Sequence, residues 1–557
     1  MFENSKILIV IPARGGSKGI PSKNTRILGD KPLISYSIGI ANASKYVDDV
    51  VVSTDDDEIK FIAEKFGAHV IKRSAELAED DVPLDPVIYD ALLQKEKMVF
   101  DEYDIVITVQ PTSPLLKTST LDQAIEKFAS FEVDSVISVV DDRHLSWGYD
   151  EDSHRYYPLY RQRLNRQFLP KHYRETGSIL ATRRSFMSEN SRLGNNIELI
   201  ELSPEESVDI DNFEDWWVAE KYLTKKRVVF KVDAFNKIGT GHIYRCISIA
   251  SKLMSHDFLF VLNKKHNLGI ELIEKYNFPY VLHGNDKDLH KKIDNYNPHM
   301  VINDILNTSL DYVETLKSKG YFVVNFEDLG EGAKAADLVF DALYEHDEKD
   351  KNIYRGSMFY LLKEEFFFQK PKVVTEDVKN VLLTFGGTDP NNLTEKTLDA
   401  LIATGFSKQI NVILGIGYPD KKGIQEKYKP YMNVTIYENV KNISDYMVSA
   451  DIIFTSAGRT MYEVCSLGVP CICLCQNERE LTHTFGNPAN GFINMGLGSD
   501  VSQDDIINQF NALAENFELR QDMNRRMQSI DLKYGFDNMW SIVKPTFRNF
   551  RLRNRFK

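Results

Sequence analysis

Residues 230–253, FKVDAFNKIGTGHIYRCISIASKL, read as an apolar strand, a glycine-bearing loop and an amphipathic helix. The same order already opens the chain at residues 6–28, KILIVIPARGGSKGIPSKNTRIL, where an apolar run leads into a loop of Gly, Ser and Lys. A loop of this kind at a helix N-terminus aims backbone N–H groups at an anion, so each opening predicts a nucleotide-handling α/β domain. Two openings predict two such domains.

The rest of the chain carries the pattern outward. The runs DDVVVS, DIVITVQP, DSVISVV, RVVFKVD, NVLLTFGG, INVILGIG and ADIIFTSAG alternate with segments of helical period. This alternation predicts an α/β protein of mostly parallel sheets covered by helices. With 557 residues the chain is too long for one core and fits about two to four globular units. The breaks fall after the helix NFEDWWVAEKYL and in the polar stretch KPKVVTEDVKN, which predicts domains at 1–224, 227–370 and 376–545. The segment 546–557, with Arg548, Arg551, Arg553, Arg555 and Lys557, reads as a solvated, frayed basic tail.

A hydrophobic share of 43% and a charged share of 27% describe an ordinary globular protein. The net charge of −13 argues against a nucleic-acid binder, which needs a basic face for phosphates. No apolar run approaches the roughly 18 residues of a membrane span, and the first residues lack a signal-peptide pattern, so a cytoplasmic protein is expected. Cys471, Cys473 and Cys475 alternate in VPCICLCQ and predict one face of a buried strand rather than a zinc site.

In the first loop, Gly15, Gly16 and Gly19 let the backbone turn closely around a ligand, and Arg14, Lys18 and Lys23 supply positive charge. A flexible surface loop has the same composition, and the Walker A spacing is absent. Far along the chain, SVDID read as a strand puts Asp209 and Asp211 at period two on one side, as Mg²⁺ requires. The competing reading is that Asp211 and Asn212 cap the next helix.

Together IPARGGSKGIPSKN, VVSTDDDEI, KRSAELAEDD, VQPTSPL, NRQFLPKHYRETGS and VDIDNFEDWWVAE resemble the acylneuraminate cytidylyltransferases, which make CMP-sialic acids, over residues 5–222. The resemblance implies a Rossmann-like nucleotidyltransferase domain. It puts Arg14, Ser17, Lys18, Lys23 and Asn24 on the CTP loop, and Arg73 and Gln110 near the nucleotide. Arg166, Gln167 and Arg174 fall near the sugar acid, and Asp209 and Asp211 on Mg²⁺, with Lys23 and Asp211 as catalytic residues. It also implies a homodimer through this domain. The anomeric hydroxyl of a nine-carbon keto acid would attack the α-phosphate of CTP, while Mg²⁺ and the basic loop stabilise charge as pyrophosphate leaves. The chain departs from the family at Leu116, where Arg is common, and at Thr176-Gly177, where many members have Asn-Gly.

In the second opening, Gly239 and Gly241 bracket a turn and place His242 in the first helical turn. A helix N-terminus disfavours imidazolium, so His242 is expected to stay neutral and to accept a proton from water. Taken alone, the GxGH pattern favours a helix-start His that merely bonds the loop. Further on, LTFGGTDPNNLT offers Gly386, Gly387, Thr388 and Asn392 to a diphosphate, and TSAGRTMYEVCSLGVP sets Ser456, Gly458 and Thr460 before a helix. Glu463, one turn in, can accept both ribose hydroxyls of a uridine nucleotide or stand as an exposed helix residue.

These motifs, with YLLKEEFF, resemble the UDP-sugar hydrolase of pseudaminic acid synthesis over roughly residues 227–500. The resemblance implies a two-lobed glycosyltransferase-B-like fold with His242 as the base that activates water. The family often has Asn-Gln after its penultimate strand; here Gln476 and Asn477 precede Glu478, a carboxylate at a position expected to affect sugar choice. The chain therefore resembles two enzymes joined. One loads a legionaminic- or pseudaminic-type acid onto CMP, and one splits a UDP-diacetamido-trideoxyhexose. The alternatives are a second half that is a glycosyltransferase or a non-catalytic nucleotide-sugar-binding module.

Overall fold

The computed structural model describes residues 2, 5–16, 19–130, 132–234, 241–344, 350–438 and 440–554. The chain divides into two compact units, Met1–Lys225 and Lys226–Lys557. The break falls at the short charged joint expected from the sequence.

The first unit is built on a seven-stranded sheet in the order Ile197–Glu201, Ser135–Asp141, Tyr173–Arg183, Ile105–Thr108, Ile7–Pro12, Asp49–Thr54, His69–Lys72. Within it only Tyr173–Arg183 runs antiparallel to its neighbours. The central strand Ile7–Pro12 is buried throughout. Its Ile7, Ile9 and Ile11 join one core and Leu8 and Val10 the other, the period-two division of a sheet covered on both faces. Leu116, one of the two departures, is buried in the first of these cores. Its neighbour Lys117 lies 3.6 Å from Glu206.

The second unit contains two sheets, both parallel throughout. The first lobe is ordered Tyr280–His283, Asp257–Asn263, Arg227–Val232, Met300–Asp304, Phe322–Phe326, Leu338–Asp341, Ile353–Arg355. The second is ordered Val434–Glu438, Gln409–Leu414, Asn380–Thr384, Ile452–Thr455, Cys471–Cys475, Phe492–Leu497. Chain order reverses between Arg227–Val232 and Met300–Asp304 in one lobe, and between Asn380–Thr384 and Ile452–Thr455 in the other. Such reversals open a crevice beyond the carboxyl ends of the strands, where open α/β sheets bind ligands. The glycine loops of the second half leave from these strand ends.

The predicted buried cysteine strand is present, and all five cysteines are buried and free. The predicted tail is not. The helix Gly535–Asn554 runs through it and returns to the first lobe. There Phe547 and Phe550 each lie edge-on to Phe322 at 5.3 Å between ring centroids. Apolar residues spaced by three between the arginines give this stretch a face to bury, which its charge concealed. The second lobe therefore does not own everything up to residue 545. Among the described residues no helix is long and apolar enough to cross a membrane.

Candidate active sites

In the first unit the glycine loop and the acidic segment meet. A Cβ on Gly19 would stand 2.3 Å from the carbonyl oxygen of Asp211, so only glycine allows the two stretches to touch. Lys23 Nζ donates to Ile210 O at 2.6 Å and lies 3.6 Å from Asp211 Oδ1. Gly15 N–H donates to Asp55 Oδ1 at 3.0 Å, and Gly16 has φ +70°. Asn24 closes the loop by donating to Arg14 O at 3.1 Å. Arg14 pairs with Asp80 at 2.7 Å. Arg73 is buried and donates to Ser53 O at 2.8 Å; burial lowers its pKa to about 10. Gln110 packs on Gly177, whose added Cβ would sit 2.9 Å from Gln110 Nε2 and whose φ is +70°. Ser17 and Lys18 lie outside the described residues.

The expected strand over SVDID does not form. Ile210 N–H donates to Thr112 O at 2.9 Å without a ladder forming, and residues 208–210 belong to no sheet. The two carboxylates consequently differ. Asp211 is exposed, whereas Asp209 is half-buried with Oδ1 unpartnered, and burial followed by the nearby Asp211 raises its pKa. The helix is capped by Asn212 alone, in a reciprocal box with Asp215. Asp211 is thus free of capping duty and available to a ligand.

Arg166, Gln167 and Arg174, expected near the sugar acid, are exposed. Arg174 lies 3.6 Å from Asp142. Thr176 does not face a ligand: its hydroxyl is buried against Ser138 Oγ at 2.8 Å, so the departure there is absorbed by the sheet.

In the second unit a cleft of about 1070 Å³ lies between the loops of the two lobes. His242 stands in the first turn of the helix Gly241–Lys252, as expected; Gly239 lies outside the described residues. His242 Nδ1 is 2.5 Å from Asp304 Oδ1. Asp304, at the carboxyl end of its strand, is fully buried and accepts two bonds from Arg245, at 2.6 and 2.7 Å. Burial raises the Asp304 pKa, but Arg245 and His242 outweigh it and hold the carboxyl well below its usual range. An ionised carboxylate only accepts, so Nδ1 carries the proton and Nε2 is left to act as a base. The sequence reading had only the helix N-terminus acting on His242; the structure adds a carboxylate in contact with it.

The opposite wall comes from the second lobe. Gly386, with φ +80°, Gly387 and Thr388 line it, as do Ser456, Gly458 and Thr460. A Cβ on Gly415 would lie 2.3 Å from Gly387 O, so the strand-end loops approach closely. Glu463 is buried, not exposed, and pairs with Lys363 of the YLLKEEFF stretch at 2.9 Å. Asn392 does not line the cleft; its amide oxygen accepts from Tyr418 at 3.0 Å, and its φ of +54° turns it away. Asn477 lines the cleft and also caps a short helix through Glu480 N–H. The carboxylate that enters the cleft is Glu480 rather than Glu478; burial pushes it up to about 7 against the N–H groups of Gln476 and Ala457.

Sequence reasoning missed Asp304, Arg245, Glu327, Lys363 and Glu480. Arg245 was readable as the residue one turn after His242, and Lys363 lay inside a quoted motif. Asp304 carried no local signal.

The cytidylyltransferase family profile matches residues 8–150. CMP-N,N'-diacetyllegionaminic acid synthase of Legionella pneumophila is 36% identical over 238 residues, covering 39% of this chain and 96% of that protein. The chain belongs to the cytidylyltransferase family. An uncharacterized protein of Methanocaldococcus jannaschii is 30% identical over 271 residues, and the chain spans 56% of its length. The similarity to known proteins also extends beyond the first unit. A Helicobacter pylori protein, pseudaminic acid cytidylyltransferase and UDP-2,4-diacetamido-2,4,6-trideoxy-beta-L-altropyranose hydrolase, is 24% identical over 562 residues, covering 95% of this chain and 97% of that one.

Proposed function

We propose that the protein is a bifunctional enzyme of nonulosonic-acid biosynthesis. Its first unit transfers CMP from CTP to a nine-carbon 2-keto sugar acid with release of pyrophosphate. Its second hydrolyses a UDP-diacetamido-trideoxyhexose to UDP and free sugar. The observation that carries the reading is the His242–Asp304 pair in a glycine-lined cleft, on the same chain as a cytidylyltransferase unit. The similarity to the two-activity H. pylori protein along nearly the whole chain supports it.

In the first unit Arg14, Lys23 and the N–H groups of the glycine loop neutralise the triphosphate. The anomeric oxygen bonds to the α-phosphorus as the bond to pyrophosphate breaks. Asp209 and Asp211 fit Mg²⁺, because a cation would partner the orphaned Asp209 oxygen and relieve the repulsion between the carboxylates. Bound there, Mg²⁺ supplies positive charge to the phosphates.

In the second unit Asp304 holds Nδ1–H, and Nε2 of His242 takes a proton from water, whose oxygen displaces UDP from the sugar. Glu463, steadied by Lys363, accepts the ribose hydroxyls. The first unit further exposes an aromatic hairpin, with Trp147 at 54% and Tyr156 at 74%, which supports a homodimer through that unit; a solution mass of one chain would overturn it. The free cysteines fit a reducing, cytoplasmic setting.

The test is UDP release from a panel of UDP-2,4-diacetamido-2,4,6-trideoxyhexoses without acceptor. Release that His242→Ala abolishes, with CMP transfer intact, is expected. Absence of release from every sugar would leave a transferase or a binding module.

A further inference from the structure

One side chain spans the cleft. Arg479 sits on the short helix Glu478–Leu481 of the second lobe, between the cleft residues Asn477 and Glu480. Its three nitrogens all donate to the first lobe: Nε to Tyr344 Oη at 3.0 Å, Nη1 to Asn307 Oδ1 at 3.1 Å, and Nη2 to Glu327 O at 2.9 Å. A planar fork that satisfies three acceptors at once defines one relative placement of the two loops, which a single flexible donor cannot do.

Glu327 is also where the histidine support begins. It is buried and non-glycine, yet holds φ +50°, a conformation that persists only when the surroundings fix it. Its carbonyl is held by Arg479. Its carboxylate accepts from Arg245 Nη1 at 2.7 Å and from Ala342 N–H at 3.2 Å. Arg245 in turn grips Asp304, which orients His242. An unbroken chain of hydrogen-bonded groups therefore runs from a second-lobe side chain to the ring of the base.

We propose that Arg479 is a positioning residue for water activation, which ties the approach of the second lobe to the alignment of His242 through Glu327, Arg245 and Asp304. The proposal rests on the reading of His242 as the hydrolytic base. With the lobes together, the Glu327 peptide is clamped and the base is aligned. With them apart, Arg479 releases that peptide and the base loses its fixed support. Hydrolysis is thereby confined to the state in which the nucleotide wall faces the base.

The experiment compares wild type, Arg479→Lys and Tyr344→Phe, the last removing one acceptor while keeping its ring, which lies 5.3 Å from the ring of His483. The readouts are kcat and KM for UDP release, and the dissociation constant of UDP alone. In Arg479→Lys, kcat is expected to fall at least tenfold with UDP affinity within threefold of wild type, because a point charge cannot reproduce the fork. Tyr344→Phe should lower kcat about threefold, and adding it to Arg479→Lys should cost nothing more. A tenfold loss of UDP affinity with kcat preserved would make Arg479 a nucleotide ligand and overturn the proposal. Unchanged kcat in both variants would overturn it too. If Arg479→Lys does not fold, an unaltered kcat in Tyr344→Phe is sufficient to reject it. UDP binding by wild type without release from any sugar would instead defeat the hydrolase reading, and the proposal with it.

Discussion

Asp304→Asn isolates the contribution of the buried carboxylate to the base. In the native site Oδ1 accepts from both His242 and Arg245 Nη2, and Oδ2 accepts from Arg245 Nε. An asparagine cannot satisfy that set. With its NH₂ at the Oδ2 position it faces the Nε–H of Arg245, and with its NH₂ at the Oδ1 position it faces His242 and forces the ring proton onto Nε2, where the base is needed. Loss of the productive tautomer costs about 3–5 kcal/mol of barrier, a fall in kcat of about 10² to 10⁴. KM should change little, since Asp304 is fully buried and is not among the residues that line the cleft. Stability should drop by about 3–5 kcal/mol as well, because Arg245 loses a charged partner in the interior. The assay is acceptor-free UDP release, with kcat and KM determined separately on protein whose fold is checked by circular dichroism. A folded Asp304→Asn enzyme with kcat within threefold of wild type would refute the assignment of His242 and Asp304 as a working pair.

Asp209→Asn should raise the Mg²⁺ concentration needed for half-maximal CMP transfer at least tenfold and leave UDP release untouched; an unmoved Mg²⁺ titration would remove Asp209 from the metal. Glu463→Gln should weaken UDP binding about 10- to 100-fold, since it removes a charged acceptor and strands Lys363, by roughly 1.5–3 kcal/mol; calorimetry with UDP checks this. Asp341 is fully buried, and burial, then Glu327, raises it from 3.8 to about 7. The folded form therefore binds the proton more tightly than the unfolded one. Its contribution is fully present below about pH 4 and is lost as pH rises to about 7, by roughly 4 kcal/mol at most. Melting curves of Asp341→Asn should lack that decline, and parallel pH profiles for variant and wild type would count against it.

What was legible in the chain was what repeats locally. Strands buried on both faces announce themselves as apolar runs, and glycines mark where the next helix begins, so both units and the place of His242 in a first helical turn could be read directly. Asp304 could not, because it reaches His242 only through the reversal of strand order that brings Met300–Asp304 beside Arg227–Val232. Lys363 meets Glu463 for a similar reason, from a segment joining the lobes. The misreadings were of a different kind. SVDID alternates like a strand yet joins no sheet, and Asn392 shares a motif with Thr388 but adopts a left-handed turn that takes its amide to Tyr418. Alternation and proximity in sequence describe what a segment can do, and neighbours decide what it does.

The return of the helix Gly535–Asn554 to the first lobe also sets the order in which the molecule can be finished during synthesis. The first unit closes within residues 1–225 and can fold as soon as they have left the ribosome. The second unit must wait. Phe322 emerges long before Phe547 and Phe550 arrive to cover it, a delay of roughly 10–50 s at about 5–20 residues per second. For that interval an aromatic sheet face is open to solvent and to chaperones, and a nascent chain halted near residue 534 would carry a finished first unit joined to an unfinished, adhesive second one.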